Sequence, residues 1–438
     1  MRLTHRAFPL GPTAARLGPT GPPGGGVDGL EGRAAERLGR RHVTELHRPQ
    51  HPAVHVCAHD RDPRSPGPHV AGCEDGRMRI LVAPDKFAGT LSAVEAAEAV
   101  ALGWRRQAPD DEVDLAPMSD GGPGFVDVLH AARGGDLLAV TVTGPTGAPT
   151  PATVLVLDGT AYVETAQACG LHLTGASGAE SATTRGVGEL LEAALGTGVS
   201  TVVLGLGGSG TNDGGAGLLA ALGATADVAL DAGPAGLAGV TQVDLDAARE
   251  RVGDVRLVAA SDVDNPLTGL FGATKVFGPQ KGVGEDRLPV LDGWLEEWAG
   301  ATDRRTSLEK GAGAAGGLGH ALLLLGATRE PGIALVVDAV GLAERARAAD
   351  LVLTGEGAFD FSSRAGKVPS GVADVAQQAL RPCVALAGQV LVGSREMRAL
   401  GVESAYSLVD LVGEERAFAD PAGALAELAE RVARTWSR

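Results

Sequence analysis

Aromatic side chains make up only 3 % of this chain, so its core must be packed chiefly from valine, leucine and alanine. Its four cysteines are widely spaced and form no C-x-x-C pair, which argues against a disulfide framework or a structural zinc and suits a reducing compartment. No apolar run approaches the ~20 residues of a membrane-spanning helix. Positive charge is in deficit: a formal net charge of −16 speaks against nucleic acid or an acidic membrane as partner. What the chain has in quantity is glycine, 65 residues, which with 25 prolines makes up about a fifth of its 438 positions. Since 44 % of the residues are hydrophobic, that fraction implies many tight turns around an ordinary core and not general disorder. The expected protein is soluble and cytoplasmic, with two or three domains.

Residues 1–77 stand apart. They hold seven of the ten histidines, ten of the 25 prolines, and eleven arginines against eight acids, with no lysine and no sustained periodicity. This segment is expected to be a disordered extension, with Met78 as the natural start of the protein. Its irregularly spaced histidines between His42 and His59 read as solvated, not metal-binding.

From Arg79 onward the texture changes. ILVAP, then DKFAGTL, then the capping box Ser92-x-x-Glu95 spell a strand, a loop and a helix reaching about Gln107. VDLAPM, SDGGPG and a helix to about Arg133 repeat the plan. Between 137 and 164 short strands separated by Gly, Pro and Asp read as a hairpin region, and a helix follows Thr184. Residues 226–256 read as surface connections, and LVAASDVDNPL then sets Asp262, Asp264 and Asn265 directly after a buried strand. ADLVLTGEGAFD, GKVPSGVADVAQQAL and CVALAG return to strand, helix and strand. These patterns predict a two-domain α/β protein: a Rossmann/flavodoxin-like parallel-sheet domain made from both ends of the chain, 78–140 and 330–438, with a second α/β domain, 141–329, inserted. Parallel strands deliver their following loops to one edge of the sheet. Lys86, Asp120 and the 207–213 loop are therefore expected to share one edge, along which Asp85, Asp262 and Glu356 with Asp360 are also expected.

The central stretch is Thr201–Leu219, TVVLGLGGSGTNDGGAGLL, where a β-branched run enters glycines and then a helical pattern. Close-approaching main-chain N–H groups, a helix N-terminus and the hydroxyls of Ser209 and Thr211 predict an anion-holding loop. Asp213 is out of place beside an anion unless a metal or a substrate hydroxyl lies between them. Lys275 and Lys281 lie on a further glycine-rich loop, and Lys367 stands at a helix start, where the dipole disfavours it unless it faces an anion. Cys169, Cys383 and His320 read as core or surface residues and not as catalytic ones. Gly205-x-Gly207-x-x-Gly210, with Asp227 at about the distance of a ribose-binding acid, keeps an NAD(P)-dependent oxidoreductase open as an alternative, and a non-catalytic metabolite sensor is a third reading. Glycine loops, converging basic residues and several carboxylates together suit phosphoryl transfer.

VAPDKFAGTLSAVEAAEA, MSDGGPG, TTRGVGEL, GLGGSGTNDGGAG, DVDNPL, FGPQKG, GAGAAGGLG, TGEGAFD and GKVPSGVA, in that order, resemble the bacterial class I glycerate kinase family from 78 to about 430. The resemblance implies transfer of phosphate from ATP, with Mg²⁺, to D-glycerate, with 2-phosphoglycerate the favoured product, in an interdomain cleft. It implies a monomer or homodimer with a small-molecule substrate and neither nucleic-acid nor membrane partner. On this pattern Asp213, Lys86, Arg185 and Asp262 are the expected catalytic residues. Asp213 would be base or metal ligand, and Lys86 and Arg185 would face the substrate carboxylate or the transferring phosphate. Asp85, Gly207, Gly208, Ser209, Thr211, Asn212, Asn265, Lys281, Glu356 and Lys367 are expected to bind substrate or phosphates, and Asp120, Asp262 and Asp360 to hold the metal.

Overall fold

The capping box expected at Ser92 is formed: its hydroxyl accepts the Glu95 N–H at 3.2 Å, and the Ser92 N–H donates to the Glu95 carboxylate at 2.9 Å. Two orphan donors of helix Ala93–Gln107 are thereby satisfied where the chain leaves the first strand. The computed structural model describes residues 77–437 apart from 88, 176–177, 361–362 and 364–365. The expectations for the N-terminal extension thus fall, Arg77 aside, outside the described residues. Those residues belong to one compact unit, Ala71–Arg438.

Strands β1 (Arg79–Val82) and β2 (Glu112–Leu115) are parallel neighbours across that helix. Then β3 (Asp136–Thr143), β4 (Pro149–Leu157) and β5 (Thr160–Glu164) pair antiparallel, as the hairpin reading expects. Next come β6 (Thr201–Gly205), a small antiparallel pair β7 (Thr225–Ala226) and β8 (Val243–Asp244), then β9 (Arg256–Ala260) and β10 (Thr328–Glu330). The stretch read as surface connections thus carries β7 and β8, and helix Asp246–Val252 as well. The last strands are β11 (Leu351–Phe359), β12 (Cys383–Val390) and β13 (Ser404–Ser407).

One sheet has the order β13-β12-β11-β1-β2 and is parallel throughout; the other has the order β10-β9-β6-β5-β4-β3. Read from its far edge the first is the flavodoxin-like order 2-1-3-4-5, so the chain departs to opposite sides of β1, and the crevice opens between β1 and β11. Short β-branched and leucine-rich runs such as RILV and RLVAA make these buried strands, since both faces of a covered parallel sheet must be apolar.

One apolar cluster spans both sheets. Leu155, Val203 and Val258 of the six-stranded sheet pack in the same core as Val352 and Ala385 of the five-stranded sheet, with Phe125, Val128 and Val336 among the helical residues between them. Shared burial of this kind holds the carboxyl ends of the two sheets at a fixed spacing. The aliphatic core expected from the composition is present, with Trp104 and Trp298 as wholly buried exceptions whose indole N–H groups find partners in Asp111 (2.9 Å) and the Gly214 carbonyl (3.1 Å).

Candidate active site

Where β1 ends, the chain runs straight into Asp85 and Lys86. The Lys86 N–H donates to Asp85 Oδ1 at 2.7 Å, its ammonium lies 3.3 Å from the same oxygen, and Asp120 Oδ1 stands 4.0 Å away on the loop after β2. The Lys86 and Asp120 side chains are about a quarter exposed, at 24 % and 27 %, so the pair faces the crevice. Burial works against the Lys86 ammonium, but the charges of Asp85 and Asp120 outweigh it and hold its pKa above the usual lysine value. Burial pushes the Asp85 carboxyl up, a push that Lys86 opposes and Asp120 reinforces.

Two glycine loops meet on this ground. A Cβ on Gly207 would lie 2.5 Å from Gly122 Cα, and one on Gly122 would lie 2.9 Å from Asp120 Oδ1 and 3.6 Å from the Lys86 ammonium nitrogen. Only glycine permits that approach of backbone to backbone, which is why both loops carry it here. The Gly207 N–H is committed to the Gly121 carbonyl at 3.1 Å, Gly207 is half-buried and Gly208 is exposed. Asp262, after β9, accepts the Ile333 N–H at 3.2 Å at the start of helix Gly332–Ala339. Burial, with the charge of Asp120 adding to it, pushes the Asp262 carboxyl up to about 6.

From β11 the Glu356 carboxylate reaches the same region. It accepts the Ser363 hydroxyl, and it lies within electrostatic reach of Lys367, Asp85 and Asp360. Burial is the largest cause holding it up at about 7. The folded protein therefore keeps a proton on Glu356 that the unfolded chain releases near 4.5, so stability present at low pH is lost as pH rises from about 4.5 to about 7. Glu356→Gln, measured by urea midpoints, should match the parent at pH 5 and exceed it at pH 8. An unchanged midpoint difference between those two pH values would remove Glu356 as the source.

The second half of the central stretch is not part of this crevice, and several expectations are corrected by it. Asp213 is 0 % exposed, and its carboxylate accepts the Thr184 N–H and hydroxyl at 2.8 Å each, the Gly215 N–H at 3.1 Å and the Gly217 N–H at 3.3 Å. The anion held by the short helix Ala216–Ala221 is thus the protein's own Asp213, which leaves neither base nor metal ligand open to substrate. Burial outweighs those donors and holds the Asp213 carboxyl above the usual range. Lys281 is 2 % exposed and donates to the Thr211 carbonyl at 2.6 Å and the Ser209 hydroxyl at 3.2 Å, and its burial lowers its pKa to about 8. It braces the loop from inside. Thr211 and Asn212 are wholly buried, and the Asn212 amide donates to Thr274 at 2.9 Å.

Arg185 is engaged elsewhere as well, with Glu189 at 3.2 Å and Asp231 at 3.0 Å. The Asn265 amide closes its own loop on the Phe271 carbonyl at 2.8 Å. Among the described residues no group of three or more His, Cys, Asp or Glu side chains is placed to hold a metal ion by itself. The dinucleotide alternative also loses its footing. Asp227 spends its oxygens on Thr241 and Gln242 within the β7–β8 pair, and the Gly210 N–H on the Cys169 carbonyl at 2.7 Å. Cys169 and Cys383 are buried thiols that burial pushes up to about 12, so of the core and surface readings the structure takes the core.

Sequence reasoning missed Glu164, at the end of β5. It accepts the Gly124 N–H at 3.0 Å and so caps the helix that follows the Asp120 loop. The available signal was an acid closing an otherwise apolar strand.

The sequence profile of the glycerate kinase family matches residues 80–437. The glycerate kinase of Bacillus subtilis strain 168 is 42 % identical over 348 residues, covering 76 % of this chain and 90 % of that one. The glycerate 2-kinase of Escherichia coli K12 is 38 % identical over 349 residues, covering 77 % and 92 %. A crystal structure assigned to a glycerate kinase 2 of Salmonella typhimurium LT2 aligns with a TM-score of 0.67 at 36 % identity, over 82 % of this chain and 98 % of that one.

Proposed function

The chain belongs to the glycerate kinase family and phosphorylates glycerate; on that premise we propose that it carries the γ-phosphoryl group of ATP, with Mg²⁺, to the 2-hydroxyl of D-glycerate in the crevice between β1 and β11. The observation that carries this reading is the Lys86 ammonium set between Asp85 and Asp120, against the paired backbones of Gly122 and Gly207. The 2-hydroxyl is favoured because the Escherichia coli relative is named a 2-kinase.

Phosphoryl transfer asks little covalent chemistry of a protein, so its residues act by position and charge. Lys86 neutralises the transferring group, while the exposed Gly208 and half-buried Gly207 let the phosphates approach main chain closely. Glu356, with a proton affinity near neutrality, is suited to accept the hydroxyl proton. Lys367, within electrostatic reach of Glu356, is placed to meet the glycerate carboxylate. Mg²⁺, when bound, supplies charge neutralisation across the phosphates. Asp120 and Asp262 fit it, because Mg²⁺ takes only one or two protein carboxylates when phosphates complete its shell, and because the charge of Asp120 bears on Asp262 across the crevice. We place the two sheets as the cores of two domains, 78–140 with 330–438 and 141–329, and the enzyme as a monomer or homodimer among cytoplasmic metabolites. No helix of the described residues is long and apolar enough to cross a membrane.

A coupled ADP-release assay tests this, with D-glycerate set against L-glycerate, glycolate and tartronate and the product read by phosphorus NMR. Turnover with D-glycerate giving 2-phosphoglycerate is expected. Absence of ADP release with D-glycerate would overturn the activity, and 3-phosphoglycerate would overturn the regiochemistry alone.

A further inference from the structure

The crevice just described is polar on every wall named so far, and a nucleotide's base needs something different: a narrow apolar slot with a few hydrogen-bonding groups at its edge. Such a slot opens beside the crevice. A cleft of about 240 Å³ lies at the carboxyl ends of β11 and β12, between them and the helices near the C-terminus. It shares its inner wall with the active site, because Phe87 directly follows Lys86 and Gly357 directly follows Glu356. Phe87 is buried and its ring lies across β11, with the ring's Cζ 3.5 Å from where a Cβ on Gly355 would stand.

Leu408 and Ala417 are buried within the cleft, whereas Phe418 at its rim is 62 % exposed. An exposed phenylalanine beside an apolar recess offers a face on which a flat heteroaromatic ring can stack. The Gln389 side chain also lines the cleft, and its carboxamide has no protein partner among the described residues. A free carboxamide presents one acceptor and two donors, which complements the edge of a purine.

We propose that this cleft holds the purine base of the nucleotide, stacked at Phe418 with its edge toward Gln389, so that the phosphate chain runs past Phe87 to Lys86 and the Gly122–Gly207 contact. The placement follows the rule for open parallel sheets, whose ligands lie outside the carboxyl ends of the strands beside the switch point, here one strand over from the β1–β11 gap. It rests on the kinase reading above and adds the location of the second substrate.

Two variants test it from opposite directions: Ala358→Trp, which fills the cleft from an exposed position, and Phe418→Ala, which removes the stacking face. Each should raise the KM for ATP at least ~10-fold while the KM for D-glycerate stays within about twofold. Calorimetric titration with ADP alone should show the same weakening without any turnover. Urea midpoints equal to the parent's establish that both variants are folded. Parent-like KM for ATP and parent-like ADP affinity in both folded variants, with glycerate turnover intact, would overturn the cleft and leave the kinase reading standing. A parent protein that neither binds ADP nor turns over D-glycerate would overturn both.

Discussion

Replacing Lys86 by methionine should lower kcat/KM for D-glycerate by roughly 10²–10³-fold, the usual consequence of removing one preorganised positive group from developing phosphoryl charge. The substitution keeps an unbranched side chain of similar length with an apolar stem. What is lost is the ammonium standing 3.3 Å from Asp85 and 4.0 Å from Asp120. Without it Asp85 is a buried carboxyl near the acids Asp120 and Glu356, and it takes up a proton instead of unfolding the protein. A steady-state ADP-release assay paired with a urea melt separates the two readings. A folded variant with near-parental kcat/KM would remove Lys86 from the phosphoryl contact, and a lost urea transition would make its role structural.

Asp213→Ala should act in the opposite way, costing about 3–5 kcal/mol of stability through loss of a buried, fully engaged charge. Four donors point at that carboxylate: the N–H and hydroxyl of Thr184 and the N–H groups of Gly215 and Gly217. Removing it leaves all four without an acceptor in a dry interior, and the Thr184 hydroxyl, which also accepts the Leu218 N–H at 3.0 Å, loses its anchor. The helix that begins at Ala216 then has no anion at its N-terminus. A lower urea midpoint at unchanged m-value is the expected result, with turnover per folded molecule within a few-fold of the parent. A variant as stable as the parent but at least ~10²-fold slower would return Asp213 to the chemistry.

The contrast between these two residues shows how far the chain can be read before it is folded. Lys86 and Asp213 each follow a strand, each stand near glycines, and each lie in an ordered family motif. Only five lysines occur in the whole chain, and four of them, Lys86, Lys275, Lys281 and Lys367, fall on the loops singled out from the sequence. That concentration is visible in one dimension. The inward turn of Lys281 onto the Thr211 carbonyl is not, because its partner is 70 residues away. Lys275 likewise is paired, with Asp292 at 3.3 Å.

Alternation of strand and helix, the capping box at Ser92, the hairpin run from β3 to β5 and the ordered motifs of the family were all written in local pattern, since propensity and periodicity depend on neighbours a few residues apart. The same holds for the edge on which Asp85, Asp120 and Glu356 gather, because parallel connectivity sends each of those loops to one side, whereas Asp262 reaches the crevice from the other sheet. Tertiary structure alone decided which polar groups remain available. Asp213 and Asp262 look alike in sequence, yet one is sealed beneath Thr184 and the other stays partly exposed at the start of helix Gly332–Ala339. The reason is physical: a backbone donor can be spent only once, and which acceptor takes it depends on segments that meet in space after folding.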